Sequence, residues 1–149
     1  MTPIHILLVE DNEGDIFLIT EALENSKFIK KISIAKDGEQ AIDFLEKKGQ
    51  FENVEMPDLI LLDVNLPKKN GHEVLEYVKQ TFKLKQIPVI MLTTSSAEKD
   101  IFLSYKNHAN CFITKPVDID GLLKVVYSIE NFWINIVSLP HYKIVNERG

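Results

Sequence analysis

Apolar residues along this chain fall into short dense runs, separated by longer stretches in which they recur every three or four positions. Four runs stand out: Ile4 to Val9, Asp58 to Leu62, Ile87 to Leu92, and Cys111 to Thr114. A fifth, Ile32 to Ala35, is weaker and alternates more. Each is too short for a helix and rich in Ile, Val and Leu, the pattern of a strand buried on both faces of a parallel sheet. The intervening stretches have helical period. Glu13 to Ser26 aligns Ile16, Ile19 and Leu23, with Phe17 and Ala22 beside them, and Gly38 to Lys48 turns Ala41, Ile42 and Leu45 inward. Gly71 to Phe82 presents Val74, Leu75 and Val78, while Ala97 to Asn107 carries Ile101 and Tyr105 one turn apart. The last helix starts at Asp118, a good N-cap residue, and runs to about Val137.

Strand and helix therefore alternate five times. That alternation predicts an α/β fold with five parallel strands, right-handed crossovers and helices on both faces of the sheet. Lys48 to Pro57 is a long loop, residues 1–137 form one domain, and residues 138–149 are a tail whose polar end, His141 to Gly149, is expected to be mobile. The length of 149 residues, with 45% hydrophobic and 26% charged positions, fits one domain with one core. Ligands of such sheets bind beyond the carboxyl ends of the strands.

The first run ends in Glu10 and Asp11, the third in Asp63, Val64 and Asn65, the fourth in Thr93 and Thr94, and the fifth in Thr114, Lys115 and Pro116. Singly, such residues are turn formers, helix caps or solvated charges. Jointly they bring three carboxylates, hydroxyls and one ammonium to one edge of the sheet. Carboxylates 4 Å apart repel by about 4 kcal/mol per pair at an effective dielectric of 20, so the pocket calls for a cation. Oxygen ligands suit a hard ion, and Mg²⁺ is the cellular one that also pairs with phosphate. With Lys115 the pocket carries about −2, which one divalent ion neutralises. A carboxylate can itself attack phosphorus to give an aspartyl phosphate, with positioning and charge neutralisation supplying most of the catalysis. Asp63 is the candidate nucleophile because a central strand places it mid-crevice. Glu10 and Asp11 flank it as metal ligands, and Thr93 and Lys115 can each hold a phosphoryl oxygen.

These residues resemble the receiver domain of two-component response regulators. The likeness covers Ile4 to about Asn131 and rests on VED at 9–11, LLDVNLPKKNG at 61–71, PVIMLTT at 88–94 and the Lys115-Pro116 pair. The separations of Asp63, Thr93 and Lys115 fit the same pattern. The resemblance implies a flavodoxin-like fold with strand order 2-1-3-4-5, phosphorylation of Asp63 by a sensor histidine kinase, and Mg²⁺ held by Glu10, Asp11, Asp63 and the backbone carbonyl of Asn65. It further implies a cis bond before Pro116, and a switch in which Thr93 moves toward the phosphoryl group while the aromatic three residues before the lysine, here Phe112, changes rotamer. The first acidic position is Glu10 where many members have Asp, and Phe112 lacks the hydroxyl of the commoner Tyr. The longer loop at Gly49 to Met56, LPKKNG and the tail ENFWINIVSLP resemble the small stand-alone regulators that serve bacterial phytochrome-type light-sensing kinases.

Other readings are weaker. A Mg²⁺-dependent phosphohydrolase of the haloacid dehalogenase type needs a second Asp two residues after the nucleophile, where this chain has Asn65. A nucleotide or flavin binder lacks its Gly-rich cradle, since the first strand runs into adjacent acids. A phosphate-independent scaffold would not need the acidic pocket. Seventeen basic against twenty-two acidic residues give a net charge of −5, which argues against nucleic acid as a partner. No apolar run approaches the roughly 20 residues of a membrane span, and the N-terminus has no signal-peptide pattern, so the expected compartment is the cytoplasm.

The last helix reads as apolar on two sides. Leu122, Leu123, Val126, Ile129 and Trp133 can face the sheet, whereas Val125, Phe132 and Ile136 point elsewhere. Either the tail folds back on its own domain, or the fourth helix, fifth strand and fifth helix together with the tail form a homodimer face. Cys111 reads as a small apolar residue of the fifth strand, His5, His72 and His108 as surface or boundary residues, and Lys68 and Lys69 as loop charges placed to help dock the kinase.

Overall fold

The computed structural model describes residues 3–140. The expectation for His141 to Gly149 lies outside the described residues. Five strands alternate with five α-helices: β1 (Ile4–Val9), α1 (Glu13–Leu23), β2 (Ile29–Ala35), α2 (Gly38–Leu45), β3 (Leu59–Leu62), α3 (Gly71–Gln80), β4 (Val89–Thr93), α4 (Glu98–Lys106), β5 (Cys111–Thr114) and α5 (Ile119–Ile129). All strand pairs are parallel and the order is β2-β1-β3-β4-β5, the flavodoxin-like arrangement anticipated above.

Two apolar layers explain why the strands read as continuous runs. Ile6, Leu8, Leu59, Leu61, Ile90 and Leu92 pack with Ile16, Ile19 and Leu23 of α1 and Leu122, Val126 and Ile129 of α5. The alternate residues Leu7, Val9, Ile60, Leu62, Val89 and Met91 pack with Ala41, Phe44 and Leu45 of α2 and Val74, Leu75 and Val78 of α3. Because successive side chains of a strand point to opposite faces, a sheet covered on both sides has no polar alternate positions.

Side-chain chemistry sets the helix ends. Asn12, Asp37, Asn70 and Asp118 each accept a hydrogen bond from a backbone N–H in the first turn, and Asn70 and Glu73 complete a reciprocal capping box. Helix α2 stops at Leu45 rather than Lys48. Lys47 takes a left-handed conformation, and the N–H groups of Lys47 and Lys48 donate back to Phe44 and Asp43 carbonyls. His108 ends α4 the same way, its N–H donating to Tyr105 and that of Ala109 to Ser104. Both are Schellman stops without glycine.

Other boundaries also differ from the sequence reading, β4 spanning Val89–Thr93 and α3 ending at Gln80 among them. Strand β2 begins at Ile29, because Ile4 pairs with it there, and the exposed Lys30 and Lys31 had hidden its start. Helix α1 ends at Leu23. After α5 the chain continues as a π-helical segment, Glu130–Ile136, in which the Val137 N–H reaches back to Phe132. The wider turn rotates the apolar face, so Ile134 enters the core while Trp133 is only half-buried.

His5 is also corrected: it is fully buried, not a boundary residue. It lies within β1, where Nε2 is 2.7 Å from Ser33 Oγ and the ring tilts against Phe44. Burial lowers its pKa below the usual 6.5. His72 is half-buried and His108 exposed, as expected, and Cys111 packs at the edge of the α1/α5 layer.

Candidate functional site

The carboxyl ends of β1, β3, β4 and β5 meet because adjacent strands are held in register there. The Glu10 N–H donates to Ala35 O, the Asp63 N–H to Val9 O, and the Lys115 N–H to Thr93 O at 2.6 Å. Carboxylate oxygens of Glu10, Asp11 and Asp63 lie within 4.8 Å of one another. Glu10 and Asp63 are 2% and 5% exposed, whereas Asp11 is open to solvent, so the cluster is buried on one side and accessible on the other.

Lys115, also buried, holds the acids together. Its Nζ donates to Glu10 Oε1 at 2.5 Å, Asp15 Oδ2 at 2.8 Å and Asp63 Oδ2 at 3.3 Å. Burial opposes the charged ammonium, but the hydrogen bonds to Asp15 and Glu10 and the charges of Asp63 and Glu10 outweigh it, and the pKa is raised above the ordinary 10.5. Glu10 has the opposite balance. Burial pushes its carboxyl up to about 7, helped by the charge of Asp63 and opposed by Lys115 and the Asn12 N–H. A divalent cation among these oxygens would relieve that cost. The all-oxygen donor set, one side open, suits a hard ion, so the residues fit the metal the sequence called for.

Asp63 Oδ1 accepts the Asn65 N–H at 3.2 Å, and Asn65 lies beside Asp11 on the wall of an open groove of about 590 Å³ that extends along α3 to α4. Gly71 is required beneath this loop: a Cβ there would overlap the carbonyl oxygen of Asp63. Thr93 is buried and its Oγ1 accepts the Ser95 N–H, whereas Thr94 is exposed. Phe112 is half-buried against the α2/α3 layer, and its N–H donates to the Tyr105 hydroxyl. Lys68 pairs weakly with Asp37 at 3.8 Å, and the Lys69 backbone closes over Gly38.

The bond before Pro116 is trans, contrary to the expectation from resemblance, and none of the described peptide bonds is cis. X–Pro bonds favour trans by about 0.5–1 kcal/mol unless tertiary contacts select otherwise. Here Lys115 reaches both Thr93 and Glu10 with the trans bond in place.

Two groups escaped the sequence reading. Asp15 was indistinguishable from an ordinary acid in a first helical turn. The other is a polar cluster in which His72 Nε2 donates to Asp100 Oδ1 at 2.8 Å and Ser95 Oγ donates to Asp100 Oδ2 at 2.5 Å, tying α3, α4 and the loop after Thr93 together. Hydrogen bonds from Ser95 and His72 hold the Asp100 carboxyl below its usual pKa. No motif marks these three residues.

An acidic triad and one buried ammonium at the carboxyl edge of a 2-1-3-4-5 sheet define a receiver. The chain belongs to the response regulator receiver domain family, whose model matches residues 6–127. It is 48% identical over 135 residues to the response regulator Rcp1 of Synechocystis sp. (strain ATCC 27184 / PCC 6803 / Kazusa), covering 91% of this chain and 92% of that protein. The crystal structure of the Mn²⁺-bound form of Rcp1 superposes with a TM-score of 0.90 at 48% identity, over 93% of this chain and 99% of the other. That of the phosphorylated cyanobacterial phytochrome response regulator RcpA gives the same TM-score at 47% identity and the same coverage. The narrower likeness to phytochrome response regulators thus holds. No helix among the described residues is long and apolar enough to cross a membrane.

Proposed function

We propose that residues 1–137 act as a phosphoacceptor, with Asp63 taking a phosphoryl group from the phosphohistidine of a sensor histidine kinase of the phytochrome type. In this transfer an Asp63 carboxylate oxygen bonds to phosphorus, the P–N bond breaks, and its electron pair stays on the imidazole nitrogen. Glu10, Asp11, Asp63 and the Asn65 backbone carbonyl would hold Mg²⁺, whose charge offsets the acids and the phosphoryl oxygens when bound. Thr93 donates its hydroxyl to one phosphoryl oxygen and Lys115 its ammonium to another. Moving the Thr93 hydroxyl breaks its bond with the Ser95 N–H, and Phe112 follows into the space released. Lys68 and Lys69, in the exposed loop between Asp63 and α3, contribute to kinase docking.

The observation that carries this reading is the convergence of Glu10, Asp11 and Asp63 oxygens beside a buried ammonium. The related proteins support it: Rcp1 has a Mn²⁺-bound form and RcpA a phosphorylated one. The test is incubation with acetyl phosphate and Mg²⁺ followed by intact mass measurement. Wild type gains one phosphoryl adduct, lost when Mg²⁺ is chelated, and Asp63→Asn gains none. Equal labelling of both proteins would refute the assignment.

The output surface is α4, β5 and α5 with the tail, and it serves as a homodimer face. Phe102, Tyr105, Ile119, Tyr127, Phe132 and Ile136 on these elements are all exposed, and Phe132 lines an open groove of about 280 Å³. Cutting the chain before Trp133 is a poor probe, because Ile134 is a core residue. Phe102→Glu with Phe132→Glu leaves the core intact and should halve the sedimenting mass; unchanged mass removes this face from the assembly.

A further inference from the structure

Asn12 caps α1, which puts Asp15 at the third helical position. An acid there ordinarily reaches back to the N–H of the cap residue, as Glu73 does to Asn70 in α3. In α1 that role has been displaced. The Asn12 N–H donates instead to Glu10 Oε2 at 3.2 Å, and the Asp15 carboxylate turns toward the site to accept Lys115 Nζ at 2.8 Å. Lys115 therefore has two carboxylates nearer than Asp63, at 2.5 and 2.8 Å against 3.3 Å. The two differ in kind. Glu10 shares the oxygen cluster with Asp11 and Asp63, and a cation there would engage its charge; Asp15 stands outside that cluster. With its side chain 25% exposed it also keeps water on its far side, so the ion pair can open without stranding a dry carboxylate.

We propose that Asp15 is a positioning residue that competes with a phosphoryl group on Asp63 for the Lys115 ammonium, and so sets how strongly the site holds that group. The inference rests on the phosphoacceptor reading above. A phosphoryl oxygen gains Lys115 only as Asp15 lets go, so Asp15 weakens the phosphorylated state through Lys115 rather than by touching phosphorus.

The test is a double-mutant cycle in which beryllofluoride, a phosphoryl mimic, is titrated with Mg²⁺ and followed by ¹⁹F NMR. Asp15→Asn should bind it about tenfold tighter than wild type, the usual size of coupling between contacting charges. Asp15→Glu, which keeps charge and reach, should return to near the wild-type affinity. In a Lys115→Met background Asp15→Asn should have no effect. A second readout needs no metal: in EDTA, the Lys115 ammonium resonance in ¹⁵N-lysine-labelled protein should shift in Asp15→Asn and recover in Asp15→Glu. Equal tightening in both backgrounds would make Asp15 a mere source of repulsion and overturn the inference, as would weaker binding in Asp15→Asn or an unmoved ammonium signal. If wild type itself fails to bind beryllofluoride, the phosphoacceptor reading falls and takes the inference with it.

Discussion

Replacing Lys115 by methionine removes the ammonium that bridges Glu10, Asp15 and Asp63, while keeping most of the side-chain volume. Even the longest of the three pairs, at 3.3 Å, has a gross Coulomb attraction of about 5 kcal/mol at an effective dielectric of 20. Much of that is offset by the desolvation that methionine no longer requires, and breaking a buried pair typically costs 3–5 kcal/mol. The folded protein has one escape, which is to protonate Glu10. In wild type that carboxyl already sits at about 7, and its ionisation penalty stops growing once the pH passes that value. In the variant the pKa rises further. The folded state then keeps a proton that the unfolded state has released, and stability falls with pH by up to about 1.4 kcal/mol per unit. Urea unfolding in EDTA should show Lys115→Met less stable than wild type by about 3 kcal/mol at pH 7. The gap should widen toward pH 8.5, and Mg²⁺ at a hundredfold excess over its dissociation constant should recover about 2.7 kcal/mol. A gap under about 1 kcal/mol, or one that does not change between pH 7 and 8.5, would show that the ammonium does not hold this cluster together.

Because Glu10 titrates near 7, a metal ion must displace its proton below that pH, so Mg²⁺ affinity measured by calorimetry should rise from pH 6 to 8 and flatten above; a flat profile would exclude Glu10 as a ligand. Asp100→Ala should cost about 1 kcal/mol and speed amide exchange in α4 ahead of the other helices, because Asp100 joins that helix to His72 and Ser95; uniform exchange would deny the cluster that role. Gly71→Ala should destabilise by about 3 kcal/mol through overlap with the Asp63 backbone, and it should also weaken beryllofluoride binding; normal binding would show that the loop under Asp63 can give way.

How much of this was legible depended on the range of the interaction. The strands follow from local density of Ile, Val and Leu, their order was implied by the resemblance to receiver domains, and the acids were found because they sit where those runs end. Ile29 to Lys31 was missed because an edge strand exposes lysines that break the pattern. The stops at Lys47 and His108 carry no glycine, so nothing in composition marks them. The π-helical segment shifts the apolar face by part of a turn, which a fixed period cannot anticipate, and Ile134 was lost to it. Asp15 pairs with a residue 100 positions away and Asp100 and His72 meet across 28, and each is unremarkable by itself.

The same contrast between apolar and polar anchoring explains which part of the fold can move. Helices α1, α2, α3 and α5 each bury several apolar side chains in the two layers, but Ser104 is the one fully buried residue of α4, and Phe102 beside it is 65% exposed. Hydrogen bonds to neighbouring elements hold α4 instead: the Asp100 carboxylate accepts from His72 and Ser95, and the Tyr105 hydroxyl accepts the Phe112 N–H. Such bonds contribute about 1 kcal/mol each and can be exchanged one at a time, whereas leaving an apolar layer costs several at once. Ser95 is the hinge of this arrangement. Its N–H is spent on the Thr93 hydroxyl and its own hydroxyl on Asp100, so pulling Thr93 toward Asp63 perturbs the seat of α4 through two bonds. An acidic site buried on one side and a helix seated by few buried side chains are thus joined through one serine.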